Sequence, residues 1–287
     1  MNPFWELVKS ALMGVVQGIT EWLPISSTAH LKLAQQVLPL FPGDAISHEF
    51  SSMYDVVIQF GSILAVLILY FAKLNPFSSK KNGEEKKDTL KLWGKVLIAS
   101  IPAAIAGLLI NDWLDGMEAQ HTNVFLYIIA GALILYGILF IVMESVQKKV
   151  KVNDLSELGP KRALGIGAFQ MLALIPGTSR SGSTILGATL LGTSRAAAAE
   201  FSFFMAIPVM FGASGLKLLK ALLDGTLSVF SWIHWASLLV GMIVSFLVSV
   251  VVIRVFMSFI IKHDFKGFGV YRILIGIVVL ILVPVLM

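Results

Sequence analysis

The sequence predicts an all-α polytopic membrane protein built as two inverted-topology repeats, each a re-entrant broken helix followed by three transmembrane helices, six spans in total. Three observations carry this expectation. The 287 residues are 57% hydrophobic and only 14% charged, with a mean hydropathy of +0.85; a soluble domain carries about 25% charged residues. Apolar runs near the length of about 20 residues that crosses a bilayer alternate with polar loops. Landmark residues recur at an interval of about 150 positions.

The first repeat, 1–150, opens with the broken segment 4–35. Its stretch Gln17–His30 carries Gln17, Thr20, Glu21, Ser26, Ser27, Thr28 and His30 inside apolar sequence. Each such group at bilayer depth costs roughly 1 to several kcal/mol unless partnered, and Pro24 interrupts the helical ladder. A dipping helix with a polar loop at its tip satisfies both facts. The run lacks a basic leader region and a small-residue cleavage site, so it reads as membrane segment and not as a signal peptide. Spans follow at about 54–72, 93–113 and 123–144. Between the first two lies a polar loop, 73–95, whose centre 82–88 reads as the least structured part of the chain. Residues 112–123 read as a short loop without Lys or Arg.

The second repeat, 151–287, opens with the broken segment 163–191 and continues with spans at about 198–217, 232–255 and 269–287. Arg272, near the start of the last span, is expected to snorkel to the interface. Gln17 and Gln170 are 153 apart, Pro24-x-Ser-Ser27 and Pro176-x-Thr-Ser179 are 152 apart, and Glu49-Phe50-Ser51 and Glu200-Phe201-Ser202 are 151 apart, as are Phe60-Gly61 and Phe211-Gly212. Three spans per unit invert the second unit relative to the first. Such repeats place a site near the midplane, where the two polar loops meet. Glu49 and Glu200 are expected to cap helices or to hydrogen-bond between the repeats.

The basic loops 73–95 and 145–162 fall on one side and the Lys- and Arg-free loop on the other, so the basic loops are expected in the cytoplasm. The net charge of +5 thus reports membrane orientation and not nucleic-acid binding, and the absence of cysteine excludes thiolate chemistry.

The run Pro176-Gly177-Thr178-Ser179-Arg180-Ser181-Gly182-Ser183-Thr184 suits an anion. Glycines admit a ligand to backbone N–H groups, hydroxyls donate, a helix starting there aims its positive end outward, and Arg180 can fork two phosphate oxygens. Gly177 and Gly182 have Walker-loop spacing, but Ser183 stands where that loop needs Lys, which rejects an ATPase. Glu21 fits either a buried acid hydrogen-bonded across helices or an oxygen ligand for Mg²⁺ or Ca²⁺, with Gln17 one turn earlier adding a carbonyl. His30, close after Ser26, Ser27 and Thr28, is a candidate base or nucleophile.

These motifs resemble the undecaprenyl-diphosphate phosphatases of the bacitracin-resistance family. Its [E/Q]-x-x-x-E motif is Gln17 to Glu21, its P-x-S-S-T-x-H-like stretch is Pro24, Ser26, Ser27, Thr28 and His30, and its P-G-x-S-R-S-x-x-T motif runs from Pro176 to Thr184. The resemblance covers essentially the whole chain. It implies a phosphoric anhydride hydrolase of the bacterial plasma membrane that converts a polyprenyl diphosphate to the monophosphate, dependent on Mg²⁺ or Ca²⁺, with its site opening outward. Carried over by position, Gln17 and Glu21 serve the metal, although Gln17 brings no charge. Glu21, Ser27, His30 and Arg180 are catalytic. Ser26, Thr28, Gly177, Thr178, Ser179, Arg180, Ser181 and Thr184 bind the diphosphate. The partners are the lipid substrate and the bilayer, bacitracin competing by binding that substrate, and a homodimer is compatible. Ser27, His30 or a water remain alternative nucleophiles. The other class of membrane lipid phosphatase needs His at position 187, where Gly187 stands. A carrier or flippase for a lipid phosphate or small anion is the rival reading, since broken helices also build transporters.

Overall fold

The computed structural model describes residues 2–146 and 149–286. Lys148, one of the lysines of the second basic loop, lies outside them. In chain order the helices are α1 Pro3–Thr20, α2 Ser27–Val37, α3 Ser47–Leu69, α4 Phe71–Leu74, α5 Gly83–Gln120, α6 Thr122–Ser145, α7 Pro160–Met171, α8 Arg180–Leu190, α9 Arg195–Leu223, α10 Trp232–Lys262 and α11 Lys266–Leu286. Six of them hold a stretch long and apolar enough to cross a bilayer: Glu49–Leu69, Gly83–Ile110, Thr122–Ser145, Arg195–Leu223, Trp232–Lys262 and Lys266–Pro284. The all-α class and the six spans of the sequence reading are therefore observed.

Each broken segment is a pair of helices separated by a turn: α1 and α2 around 21–26, α7 and α8 around 172–179. The second halves of both pairs are 11 residues long. The packing is distributed in matching fashion. α1 lies against α10 while α7 lies against α5, α3 packs on α9, and α6 on α11. Phe60 and Phe211, at repeat-related positions, meet edge to face at 5.3 Å. This exchange of partners is compatible with an inverted duplication.

Close approach at the α1–α10 and α3–α10 crossings depends on small residues, the usual means of association where lipid removes the hydrophobic drive between helices. A Cβ on Gly14 would lie 2.6 Å from the Gly241 carbonyl, and one on Gly18 2.8 Å from that of Ser245. The seam also carries a buried hydroxyl ladder. Ser62 and Ser245 are 2.8 Å apart, Ser249 donates to Ser62 at 3.1 Å, and Ser10 contacts the Tyr54 hydroxyl at 2.8 Å. These hydroxyls thereby satisfy one another away from water, as membrane depth demands.

Several local expectations are corrected. Residues 82–88 are not unstructured: Asn82 and Glu85 form a reciprocal capping box that starts α5 at Gly83. The Lys81 ammonium holds the preceding turn by donating to the carbonyls of Lys73 and Asn75 and to the Thr89 hydroxyl. Nor is 112–123 a loop. Helix α5 runs on to Gln120, and only His121 separates it from α6. At 38 residues α5 is about 57 Å long, so its ends project beyond the apolar span. The expectation for the repeated glutamates holds: Glu200 makes a hydrogen bond between the repeats, accepting from Lys73 at 2.8 and 3.0 Å, and Glu49 lies in the first turn of α3. Arg272 does not snorkel; it is fully buried.

The α6–α11 crossing gives a test of this packing. A Cβ on Gly137 would lie 2.6 Å from the Gly269 carbonyl, whereas Gly131 has open space. Gly137→Val is expected to destabilise the protein by about 1–3 kcal/mol through overpacking, and Gly131→Ala to be neutral or slightly stabilising. Thermal unfolding in detergent checks both.

Candidate active site

The site is built where the two turns meet inside the bundle. Pro24 lies in the turn after α1 ends at Thr20, and Pro176 follows the short helical turn Leu172–Leu174 that extends α7; each new helix is then preceded by a serine at positive φ. Ser26 sits at φ 76° and Ser179 at φ 71°, a region that L residues rarely occupy. Both serines cap the short helix they precede, Ser26 Oγ accepting from the Ala29 N–H and Ser179 Oγ from that of Gly182. The capping bond offsets the strained backbone. It also sets the register: Ser26 and Ser179 are 153 apart, the same interval as Gln17 and Gln170. The match of Ser27 with Ser179 at 152 is therefore displaced by one residue, and Ser27 corresponds to Arg180. Both open their helices.

One ion pair joins the two turns. Arg180 Nη2 donates to Glu21 Oε1 at 2.9 Å, both side chains being largely buried. Ser27 Oγ donates to the other carboxylate oxygen at 2.7 Å, and Gln17 Nε2 reaches the same oxygen at 3.1 Å. Arg180 Nη1 is held by the Ser202 carbonyl at 2.7 Å and the Ser202 hydroxyl at 3.3 Å. Its guanidinium lies over the Trp22 ring at 5.6 Å. Arg180 Nε is buried without a partner, a donor left for a ligand. Gln17, Glu21, Ser27 and Arg180 are thus one connected group.

His30 belongs to a different arrangement. Its Nδ1 contacts the Ser26 carbonyl at 2.7 Å, so that nitrogen carries the proton. Nε2 therefore accepts from the Tyr271 hydroxyl at 2.8 Å, and the two rings stack with 5.7 Å between centroids. Among the described residues no hydrogen bond joins His30 to Ser27.

The hydroxyls of the second loop are directed inward. Thr178 donates to the carbonyls of Leu172 and Ile175, each at 2.9 Å. Ser181 reaches the carbonyls of Glu21 and Leu23, each at 3.1 Å, and Thr184 contacts Ser202 at 2.6 Å. These three, expected as diphosphate donors, fasten the loops to each other and to α9 in this structure. Gly177, at φ +91°, fits where a Cβ would lie 2.6 Å from the Ile129 carbonyl. Thr28 is exposed. What remains for an anion is Arg180, together with the first N–H groups of α2 and α8, which have no intrahelical partner.

No group of three His, Asp or Glu forms a cage among the described residues. The oxygens a hard cation could use are those of the buried Glu21 carboxylate, which accept from Arg180, Ser27 and Gln17, and Gln17 Oε1, buried with no partner. That is fewer than such an ion takes, so it would need its other ligands from water and phosphate oxygens.

A family model described as Bacitracin resistance protein BacA matches residues 10–278. The chain belongs to this family. It is 54% identical to Undecaprenyl-diphosphatase 1 of Clostridioides difficile (strain 630) over 96% of this chain and 95% of that protein. It is 51% identical to the Undecaprenyl-diphosphatase of Enterococcus faecalis (strain ATCC 700802 / V583), covering 96% and 97% of the two chains. The same figures hold for that of Latilactobacillus sakei subsp. sakei (strain 23K). Family membership accords with the resemblance read from the two motifs.

Sequence reading missed Trp22, Ser202, Tyr271 and Arg272. Ser202 lies in the repeated Glu-Phe-Ser triplet, whose recurrence was a signal without a role. Arg272 had a stronger one, being a cation inside an apolar span.

The ion pair makes a prediction independent of activity. Arg180→Ala strands the Glu21 carboxylate and is expected to cost about 3 kcal/mol or more, as breaking a buried pair does. Replacing both partners, Glu21→Gln with Arg180→Met, is expected to recover most of that loss. Unfolding midpoints in detergent without substrate check the comparison.

Proposed function

We propose that this membrane protein hydrolyses undecaprenyl diphosphate to undecaprenyl phosphate and inorganic phosphate, and so recycles the lipid carrier of cell-wall polysaccharide synthesis. Such an activity would give resistance to bacitracin, which binds the substrate. The observation that carries the chemical reading is the Ser27–Glu21–Arg180 chain, with bonds of 2.7 and 2.9 Å. It sets a hydroxyl, a carboxylate that can take its proton, and a phosphate-binding guanidinium side by side. Relatives about half identical over nearly the whole chain carry the diphosphatase name, which supports the substrate.

Arg180 binds the distal phosphoryl group, and the open N–H groups of α2 and α8 assist, stabilising charge on the transferring oxygens. Ser27 Oγ attacks the distal phosphorus as its proton passes to Glu21. The Oγ–P bond forms, the bridging P–O bond breaks, and undecaprenyl phosphate leaves. Glu21 passes that proton on to solvent, and water then cleaves the phosphoserine, its hydrogens shared between the released phosphate and the restored Ser27 hydroxyl. His30 orients the turn through the Ser26 carbonyl, because its hydrogen bonds lead there and to Tyr271 and not to Ser27. Gln17 and Glu21 would hold a Mg²⁺ or Ca²⁺ ion, which when bound supplies positive charge to the phosphates. The lysine-bearing loops lie in the cytoplasm and the site opens to the outside of the cell. The carrier or flippase reading explains the ion pair but gives no use to a serine hydroxyl on a carboxylate.

Purified protein in detergent is expected to release phosphate from a long-chain polyprenyl diphosphate with Mg²⁺ or Ca²⁺ and not with a chelator. Release is lost in Arg180→Ala and Glu21→Ala. Ser27→Ala is expected to lose on the order of 10³-fold or more, and His30→Gln about 10- to 100-fold. A denaturing quench in detergent at neutral pH, with isotope-labelled distal phosphate, should trap label on Ser27. Wild type that is folded yet releases nothing with either metal overturns the enzyme reading; label on His30 overturns the serine mechanism.

A further inference from the structure

Arg272 is the largest charged side chain to be fully enclosed, at 0% exposure. It projects from α11 to the junction of the two turns. Nη1 donates to the Pro24 carbonyl at 2.9 Å, and Nη2 to the carbonyls of Gly177 and Thr178 at 2.9 and 3.0 Å. The guanidinium lies over the Tyr136 ring at 5.3 Å, and Tyr136 in turn accepts from Ser183 at 3.1 Å. Glycine at 182 makes the space, since a Cβ there would lie 3.1 Å from Arg272 Nη1.

Two features set this arginine apart from a structural pin. First, no carboxylate pairs with it among the described residues; its partners are three neutral carbonyls and a ring. A buried cation without a counter-ion is unfavourable in itself, and a methionine or leucine of similar volume would fill the space without that penalty. Second, the neighbouring side-chain charges cancel. Glu21 neutralises Arg180, so the connected side chains, before any cation binds, are neutral overall. A diphosphate carries several negative charges, and in a low-dielectric interior an uncancelled positive charge acts over several ångströms.

We propose that Arg272 is a positioning residue of the site: it holds the two turns in register through their carbonyls, and it supplies the surplus positive charge that draws a diphosphate to Arg180. The proposal rests on the phosphatase reading above and deepens it. The carbonyl contacts explain why the turns keep their geometry although no helix joins them. The surplus charge explains why an arginine, and not an apolar side chain, occupies the position. Gly182, within the loop motif, serves this arginine and not the ligand.

The two roles separate by substitution. Arg272→Lys keeps the charge but cannot fork across Pro24, Gly177 and Thr178; Arg272→Met removes both; Gly182→Ala displaces the guanidinium without removing it. Binding of inorganic diphosphate to the purified protein reads the charge. The distance between spin labels on Thr28→Cys and Ile175→Cys reads the register, the chain having no native cysteine. Arg272→Lys and Gly182→Ala are expected to hold inorganic diphosphate within about threefold of wild type, with a broadened label distance and a lowered kcat. Arg272→Met is expected to weaken binding about tenfold or more. Wild-type diphosphate affinity in a folded Arg272→Met protein overturns the charge role. If that variant does not fold, a tenfold loss in Arg272→Lys, which keeps the charge, overturns it instead. An unchanged, narrow label distance in Arg272→Lys and Gly182→Ala overturns the register role. Neither readout needs turnover, so a wild type that binds inorganic diphosphate but releases no phosphate refutes the phosphatase reading alone.

Discussion

A charge buried at bilayer depth has no water to hold it, and this constraint governs the middle of the molecule. The Glu21–Arg180 pair answers it by letting each repeat supply one sign, so neither turn is stable in place without the other. The pair therefore acts as the tie between two segments that are 159 residues apart in the chain. Around it most polar atoms have a neighbour of fixed position: Ser202 for one guanidinium nitrogen, Ser27 and Gln17 for the second carboxylate oxygen. Among the buried atoms without a partner, Arg180 Nε, Gln17 Oε1 and Trp22 Nε1 border the pair. Such atoms are scarce in native interiors and are expected where a ligand completes the arrangement.

The helices serve this tie by permitting close approach. Where α1 meets α10 and α6 meets α11, glycine brings backbone against backbone, and where α3 meets α10 buried serines complete each other's hydrogen bonds. Dispersion and polar complementarity replace the hydrophobic drive that lipid does not provide. The short helices α2 and α8 are capped by serines in a strained conformation, next to the reactive residues; Phe41, at φ 48°, is the other non-glycine residue at positive φ among those described.

The site was legible where it depends on residue type. Glu21, Ser27 and Arg180 stood out as polar groups in apolar sequence, and the structure brings them within hydrogen-bond reach of one another. Hydroxyl direction was not legible. Thr178, Ser181 and Thr184 look like phosphate donors in a row, yet each found a nearer carbonyl or hydroxyl in the protein. The repeat itself was legible, but its register near the turns was not. A match of Ser27 with Ser179 by letter gives way to a match of Ser26 with Ser179 by conformation, because capping selects the residue with positive φ. The helix start at Gly83 was missed because a run of charges suggested solvent, while the capping box within it was strong enough to begin a helix.

Composition and periodicity by themselves determined that this is a six-span helical membrane protein with two interrupted segments, since twenty apolar residues in a row have few other stable states. The two motifs were enough to indicate the family. Only the tertiary structure decided which polar groups face each other, because that depends on contacts between segments separated by more than a hundred residues. Arg272 is the clearest instance. In sequence it is an arginine near the end of a span, where a long side chain reaches water. In the folded chain both turns present bare carbonyls to that point, and three such acceptors at 2.9–3.0 Å hold the guanidinium inside.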